Sequence, residues 1–280
     1  MRNKTIQPFL RWAGGKNWLI PVVDTLLEGL DFKNYYEPFL GGASVFFSVD
    51  IPKHAYLSDI NEDLIETYIE VRDHPNEVIK ELKRLKNTEE DYYRIRRMIP
   101  QKPIKRAARF IYLNQTSYNG IYRVNLKGEY NVPYGFRETM QYDYDRILNA
   151  SRKLQKTKLR SEDFTARKYQ IKEGDLVFLD PPYTVSHNKN GFIKYNQKLF
   201  SLDDQYRLSG FIKYITKKGA FYILTNAAHD TIREIFDNGD STILTLNRSS
   251  LIGGKNAKRE KVSEFIFTNV PNAKEIDTEE

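Results

Sequence analysis

Six short apolar runs limit what this chain can fold into: Tyr35-Tyr36-Glu37, Ala55-Tyr56-Leu57, Leu176 to Leu179, Ala220 to Leu224, Thr242 to Leu246 and Glu264 to Phe267. Each has the length of a strand, and several are separated by stretches with helical spacing, over residues 16–30, 203–218 and 229–237. Strands alternating with helices build a largely parallel sheet covered on both faces, so the expected class is α/β. Between about Asn61 and Arg160 the strand signals almost vanish. Apolar residues there recur at helical spacing, as in Leu64, Ile65, Tyr68, Ile69 and again in Val78, Ile79, Leu82, Leu85. That region is expected to be a helical insert with one loop-like piece, Asn119 to Gly135, rich in Asn, Gly and Pro. The polar residues from Pro271 onward are expected to fray.

The insert also carries the charge. Between Arg94 and Arg160 stand 16 Lys and Arg but only four acidic residues, which leaves the rest of the chain net acidic. Phe110, Tyr112, Tyr118, Tyr122, Tyr130 and Tyr134 thread through this basic block, a pattern suited to a polyanion as well as to a solvated surface. The chain has no cysteine. Disulfides, thiolate metal sites and a cysteine nucleophile are excluded, and with them cytosine C5-methylation, which needs a covalent cysteine adduct. Charges interrupt every apolar stretch before it reaches bilayer length, and the start lacks the apolar core of a secretory signal. A soluble intracellular protein is expected.

Three motifs stand out, two of them leaving strand ends. Asp180-Pro181-Pro182-Tyr183 directly follows Leu176 to Leu179. Proline fixes its own φ and restricts its predecessor, so the two prolines stop the strand and hold the exit extended. The Asp180 carboxylate, the Pro181 carbonyl and the Tyr183 ring then leave the carboxyl edge of the sheet together, where open α/β sheets bind ligands. Two acceptors beside an aromatic platform can hold an exocyclic amine on a planar base. The second motif, Glu37-Pro38-Phe39-Leu40-Gly41-Gly42, gives a turn whose glycines let a ligand approach the backbone. Asp59 follows 18 residues after Gly41, near the spacing of about twenty at which an acid bonds ribose hydroxyls. It suits the N-cap of the next helix equally well. The third motif is Phe9-Leu10-Arg11-Trp12-Ala13-Gly14-Gly15-Lys16. It is no phosphate loop, because Asn17 follows the lysine and the earlier glycine is missing.

Other candidates carry less. His54, His74, His187 and His229 lack metal-ligand spacing, so no metal is expected. Ser44 sits in no Gly-x-Ser-x-Gly elbow. Gly253-Gly254-Lys255 has no nucleotide context, and the run from Arg248 to Lys261 reads as a solvated loop that touches backbone phosphate.

Taken in order, these motifs resemble those of the Dam-type, class α, DNA adenine-N6 methyltransferases over most of the chain. The resemblance runs through Trp12 to Lys16, Glu37 to Gly42, Ser58-Asp59-Ile60-Asn61, Tyr118 to Asn125, Gly128 to Gly135 and Asp180 to Tyr183. It implies a Rossmann-like methyltransferase sheet, residues 1–61 and 162–280, interrupted by a mostly helical target-recognition domain, residues 62–161, containing a hairpin. It implies S-adenosylmethionine as cofactor, held by Trp12, Ala13, Gly14, Lys16, Glu37, Pro38, Phe39, Gly41, Asp59, Asp163, Phe164 and Asp180. It implies Asp180, Pro181, Pro182 and Tyr183 as the catalytic set. Double-stranded DNA would be met by Arg11, Tyr118, Asn119, Arg123, Asn125 and Pro133, with Arg11 and Arg123 each on a guanine of a GATC site. Many members of that family carry Arg after the hairpin's Pro-Tyr/Phe-Gly, whereas here Phe136 precedes Arg137.

On this resemblance the adenine leaves the duplex, stacks on Tyr183 and gives its N6 hydrogens to Asp180 and Pro181. Methylation of another amino group (cytosine N4, an RNA adenine, a glutamine amide) needs similar acceptors, and a silent DNA-binding regulator could keep the fold. The expected setting is the cytoplasm of a bacterium or a phage-infected cell, at the nucleoid. The expected assembly is a solution monomer, with a restriction endonuclease as a possible partner.

Overall fold

The computed structural model describes residues 6–125, 127–136, 142–184, 200–249 and 261–276. The strands are β1 (Tyr35–Glu37), β2 (Ala55–Asp59), β3 (Thr157–Ser161), β4 (Leu176–Leu179), β5 (Phe221–Ala227), β6 (Thr242–Ser249) and β7 (Lys261–Thr268). They form one sheet in the order β3-β2-β1-β4-β5-β7-β6. All six runs read as strands from the sequence are strands. With helices between the strands, the fold is of the expected α/β class.

Two compact units divide the chain: Met1–Val23, Leu40–Asp50 and His54–Asp163 form the first, and Asp24–Phe39, Ile51–Lys53 and Phe164–Glu280 the second. In the first unit β2 and β3 pair in parallel, from Ala55 opposite Thr157 to Asp59 opposite Ser161. The strand β3 lies inside the stretch read as helical. Its sequence alternates, with Thr157 and Leu159 buried and Lys158 and Arg160 exposed, and it lies at the end of the strand order. Lysine and arginine on the outer positions suit an edge strand but read as part of a basic block.

The helices α1 (Ile20–Leu26) and α2 (Ser44–Ser48) precede the insert. The stretch read as an insert supplies α3 (Glu62–Asp73), α4 (Pro75–Leu82), α5 (Glu89–Arg97), α6 (Pro103–Thr116) and α7 (Tyr144–Leu154). Asn61 caps α3 by accepting the Leu64 N–H at 3.1 Å, and Thr88 caps α5 by accepting that of Asp91. Helix α6 packs against α3, α4 and α5, burying Ala107, Ala108, Ile111, Tyr112 and Leu113. The loop-like piece is a hairpin, closed by antiparallel bridges Ser117 to Tyr134 and Val124 to Tyr130.

In the second unit β1, β4 and β5 run parallel, and β7 pairs antiparallel with both β5 and β6. The strand β4 is buried throughout, as a central strand covered on both faces requires. Helix α8 (Leu202–Lys217) packs on β5, and α9 (Asp230–Phe236) packs on α8. Ser201 and Asp204 form a reciprocal capping box at the start of α8, satisfying two N–H groups that have no partner within the helix.

The chain end corrects one expectation. Residues Pro271–Glu275 form a 3-10 turn, Ala273 is buried, and the Asn272 amide donates to the Leu26 and Glu28 carbonyls at 3.1 and 2.7 Å. The polar side chain that suggested fraying caps the end of α1. His187, Arg137 and Gly253-Gly254-Lys255 lie outside the described residues, as does most of the Arg248-to-Lys261 run. Among the described residues no helix is long and apolar enough to cross a membrane.

Candidate active site

In the second unit, parallel pairing brings the ends of β1 and β4 to the same edge. Glu37 ends β1 and Asp180 follows β4. Glu37 is buried and accepts the Tyr35 hydroxyl at 2.6 Å; burial, reinforced by that carboxylate, pushes the Tyr35 phenol far above its usual range. Asp180 accepts the Thr225 hydroxyl on Oδ1 at 2.7 Å. Pro181 is buried, and the Tyr183 hydroxyl donates to Glu264 Oε2 at 2.5 Å. Burial raises the Tyr183 phenol well above its ordinary value, and the Asp180 and Glu264 carboxylates add to the shift. The phenol therefore stays a neutral donor. Phe39 stacks on Phe164, with centroids 5.3 Å apart, and meets Phe200 edge-on. The Arg207 guanidinium lies over the Phe164 ring at 4.8 Å.

In the first unit, Asp59 ends β2 half-buried. Its two oxygens accept the Gly41 and Asn61 N–H groups, each at 3.0 Å. Burial raises its carboxyl, against the downward pull of the N–H donors of Gly41, Asn61 and Ile60. Asp59 is not the cap of α3, since Asn61 takes that position. Lys16 is 4% exposed and donates to the Gly14 carbonyl at 3.0 Å, while Ala13 and Gly14 are more open.

The paired glycines serve Trp12. A Cβ on Gly41 would lie 2.8 Å from the Trp12 Nε1, and one on Gly42 would lie 2.8 Å from the Trp12 Cβ. The indole stacks on Tyr122, which in turn stacks on Phe110. Asn114, buried in α6, joins the neighbouring segments: its Oδ1 accepts the Arg11 N–H at 2.8 Å, and its amide donates to the Arg11 and Gly120 carbonyls. Nothing local flags Asn114 in the sequence, because Arg11, which it both donates to and accepts from, lies 103 residues away along the chain.

On the hairpin, Tyr118, Asn119, Arg123 and Pro133 are exposed. Asn119 adopts a left-handed φ of 55°. Arg123 Nε donates to the Asn131 side-chain oxygen at 2.8 Å. Asn125 closes its own turn, accepting the Lys127 and Glu129 N–H groups and donating to the Glu129 carboxylate. Several basic side chains of the insert have internal partners: Arg106 bonds Glu66, Arg109 takes the Ile95 and Arg96 carbonyls, and Arg96 takes that of Val132. Lys153 donates to the Val49 carbonyl at 2.6 Å, and burial lowers its ammonium pKa.

Thr225 and Glu264, which hold Asp180 and Tyr183, were not singled out from the sequence. Glu264 had a signal: in a strand of period two it shares a face with Ile266, which marks a buried charge.

This sheet, with an acid and an aromatic fixed at the strand exit, is that of an α/β enzyme whose site lies at the carboxyl edge of its strands. The model of the D12 class N6 adenine-specific DNA methyltransferase family matches residues 12–250, and the chain belongs to that family. It is 32% identical to the Type II methyltransferase M1.LlaDCHI of Lactococcus lactis subsp. cremoris, over 97% of this chain and 98% of that protein. It is 35% identical to M.MjaIII of Methanocaldococcus jannaschii over 79% of this chain and 84% of that one. With the DNA adenine methylase of Escherichia coli K12 it shares 30% identity, over 96% and 97%.

Proposed function

We propose that this adenine-specific DNA methyltransferase moves a methyl group from S-adenosylmethionine to N6 of an adenine flipped out of a short duplex site, GATC by preference. The observation that carries the reading is Asp180 at the exit of β4, held by Thr225 and followed by a buried proline and a fixed aromatic.

The donor set fits the cofactor. Lys16 supplies a nearly buried ammonium with three donors, suited to the amino-acid carboxylate. Asp59 accepts backbone N–H groups on both oxygens, and a carboxylate with about four lone-pair sites keeps capacity for ribose hydroxyls. The Phe39–Phe164 stack suits the rim of an adenine, with Asp163 beside it in sequence. Trp12, Ala13, Gly14, Glu37, Pro38 and Gly41 take their cofactor roles from motif correspondence. S-adenosylmethionine supplies a methyl already activated on a sulfonium, so the chemistry needs no metal.

The chain's own residues then act on the base. Extrusion costs a few kcal/mol, offset by phosphate attraction to exposed cations of the insert. Tyr183 stacks the extruded ring while the Asp180 carboxylate and the Pro181 carbonyl accept the two N6 hydrogens. This draws the nitrogen towards tetrahedral geometry and fixes the direction of its lone pair, a gain from positioning and local electrostatics. Asp180 takes the released proton late. The functional division follows the motifs, with residues 62–161 reading the DNA through Tyr118, Asn119, Arg123, Asn125 and Pro133, joined by Arg11 from the catalytic part.

The test is transfer of labelled methyl to duplexes carrying GATC or each single-base change, with wild type and Asp180→Ala. Asp180→Ala should lose well over tenfold in turnover, about 1.4 kcal/mol or more, and still gain thermal stability from S-adenosylhomocysteine. Retention of more than a tenth of wild-type turnover removes Asp180 from the chemistry. No transfer to any duplex by the wild type leaves a silent DNA-binding regulator.

A further inference from the structure

Two buried side chains behind the strand exit belong to the reaction without reaching the base. We propose that Thr225 on β5 and Glu264 on β7 are positioning residues: Thr225 sets the plane of the Asp180 carboxylate, and Glu264 sets the tilt of the Tyr183 ring.

The register puts them there. Leu179, the last residue of β4, lies opposite Leu224, so Thr225 stands beside Asp180, one residue beyond the strand. On the other side of β5, Ala227 lies opposite Glu264. Thr225 and Glu264 are each 1% exposed. Both sit among apolar strand neighbours, Leu224 and Ile223 on β5 and Phe265, Ile266 and Phe267 on β7.

A hydroxyl or a carboxylate in such a place costs free energy unless its bonds are made. Valine would fill the Thr225 site with the same shape and a comparable strand preference, so packing does not account for the hydroxyl. A hydroxyl has one hydrogen to give. At 2.7 Å it goes to Asp180 Oδ1, while the Leu179 carbonyl is 3.5 Å away and the Tyr183 phenol also bonds the Thr225 side chain. A carboxylate held by one oxygen can no longer rotate freely, and its two oxygens keep fixed directions. Glu264 acts similarly on Tyr183: its bond to the phenol anchors the far end of a ring whose near end is fixed by Pro182. Behind them the buried amides continue the support. Asn226 donates to Gln205, Gln205 donates to Thr184, and Thr184 donates to the Phe200 carbonyl. This chain of bonds ties the residue after Tyr183 to β5 and to the start of α8.

Positioning predicts effects on rate rather than on folding. This inference rests on the methyl-transfer reading above, and the experiment separates the two. Thr225→Val keeps shape and removes the donor; Thr225→Ser restores it. Glu264→Met keeps volume and removes the acceptor, whereas Glu264→Gln keeps a carbonyl oxygen for the phenol. Each variant is assayed for kcat and for the KM of a GATC duplex, with thermal midpoints measured with and without S-adenosylhomocysteine.

Thr225→Val should lower kcat by about tenfold to a hundredfold, the range for a hydrogen bond to a charged group, with the duplex KM within twofold. Thr225→Ser should return to within about threefold of wild type. Glu264→Met should both raise the duplex KM and lower kcat, since Tyr183 meets the base before and during transfer, and Glu264→Gln should restore most of each. The inference is overturned if Thr225→Val and Glu264→Met stay within twofold of wild type while Asp180→Ala is inactive. It is also overturned if either variant unfolds or loses its stabilisation by S-adenosylhomocysteine, because the side chain then serves the fold. An active Asp180→Ala defeats the methyl-transfer reading itself.

Discussion

Adding one methyl group at Gly41 and one at Gly42 distinguishes two reasons for a glycine pair at a strand-to-helix turn. If the pair makes room for a ligand, either alanine weakens ligand binding and spares the free protein. In the structure, that room is filled by Trp12. A Cβ on Gly41 would meet the indole edge at 2.8 Å from Nε1 and 2.9 Å from Cδ1, and Gly41 has a left-handed φ of 46°. A Cβ on Gly42 would meet the root of the same side chain, 2.8 Å from Cβ. Overpacking of this kind costs about 1–3 kcal/mol. The left-handed conformation adds roughly 1–2 kcal/mol for alanine at 41. Gly41→Ala should therefore cost about 2–5 kcal/mol and Gly42→Ala about 1–3 kcal/mol in the free protein.

The clash partners make the test sharp. Trp12→Ala removes the indole edge but keeps the Cβ. In that background Gly41→Ala should fall to its conformational cost of about 1–2 kcal/mol, while Gly42→Ala should cost what it did before. Urea midpoints at constant slope, followed by circular dichroism, supply the two double-mutant cycles. The loss of the Tyr122 stack is common to both arms and cancels. Equal costs for Gly41→Ala with and without the indole would refute the packing, as would a Gly42→Ala penalty that disappears with it.

Three further outcomes follow from the site. Arg123→Ala should methylate a duplex altered at one guanine nearly as well as the parent, because a bidentate guanine contact contributes about 1–3 kcal/mol of discrimination; exposed Lys105→Ala should weaken all duplexes alike, and a uniform loss with Arg123→Ala would make it a phosphate clamp. Lys153→Met should lower the thermal midpoint and leave the salt dependence of DNA binding unchanged, since its ammonium holds the Val49 carbonyl after α2; a flatter salt slope would make it a phosphate contact instead. Tyr130, whose hydroxyl donates to the Ile121 carbonyl at 2.7 Å, has its phenol pushed up to about 12, chiefly by burial. The unfolded phenol ionises first, near pH 10, so its contribution is complete below that pH and declines as pH rises towards 12; Tyr130→Phe should show a smaller stability loss across this window in alkaline urea titrations.

How much of this was legible depends on where each partner lies. The central strands were visible because burial on both faces concentrates apolar residues in short runs, as in Leu176 to Leu179. Helices α3 and α4 were visible through their spacing. The strand β3 was hidden because an edge position needs only Thr157 and Leu159 inward, and its outward Lys158 and Arg160 joined a charge pattern with another explanation. Asp180 to Tyr183 could be read because two prolines write their conformation into the sequence. Its supports could not be read locally: Thr225 is 45 residues from Asp180 and Glu264 is 81 from Tyr183. Only the sheet order brings them together.

The charge of the insert divides on the same principle. Counting residues treats every cation as available to a polyanion, but a guanidinium carries five donors and finds local carbonyls readily. Arg96 and Arg109 hold carbonyls of Val132, Ile95 and Arg96, tying the end of α5 to the hairpin and to α6. Arg106 is forked onto Glu66 on α3, and Arg94 and Arg146 pair with Asp91 and Asp143 one helical turn away. These cations build the scaffold on which the hairpin stands. Arg97, Lys102, Lys105, Lys127, Lys156 and Arg160 remain exposed, and it is from side chains of this kind that counterion release on DNA can come. A basic block in an insert is thus two populations: one spends its charge on carbonyls and carboxylates of the protein, and the other keeps it at the surface. Composition sums them, and only the fold separates them.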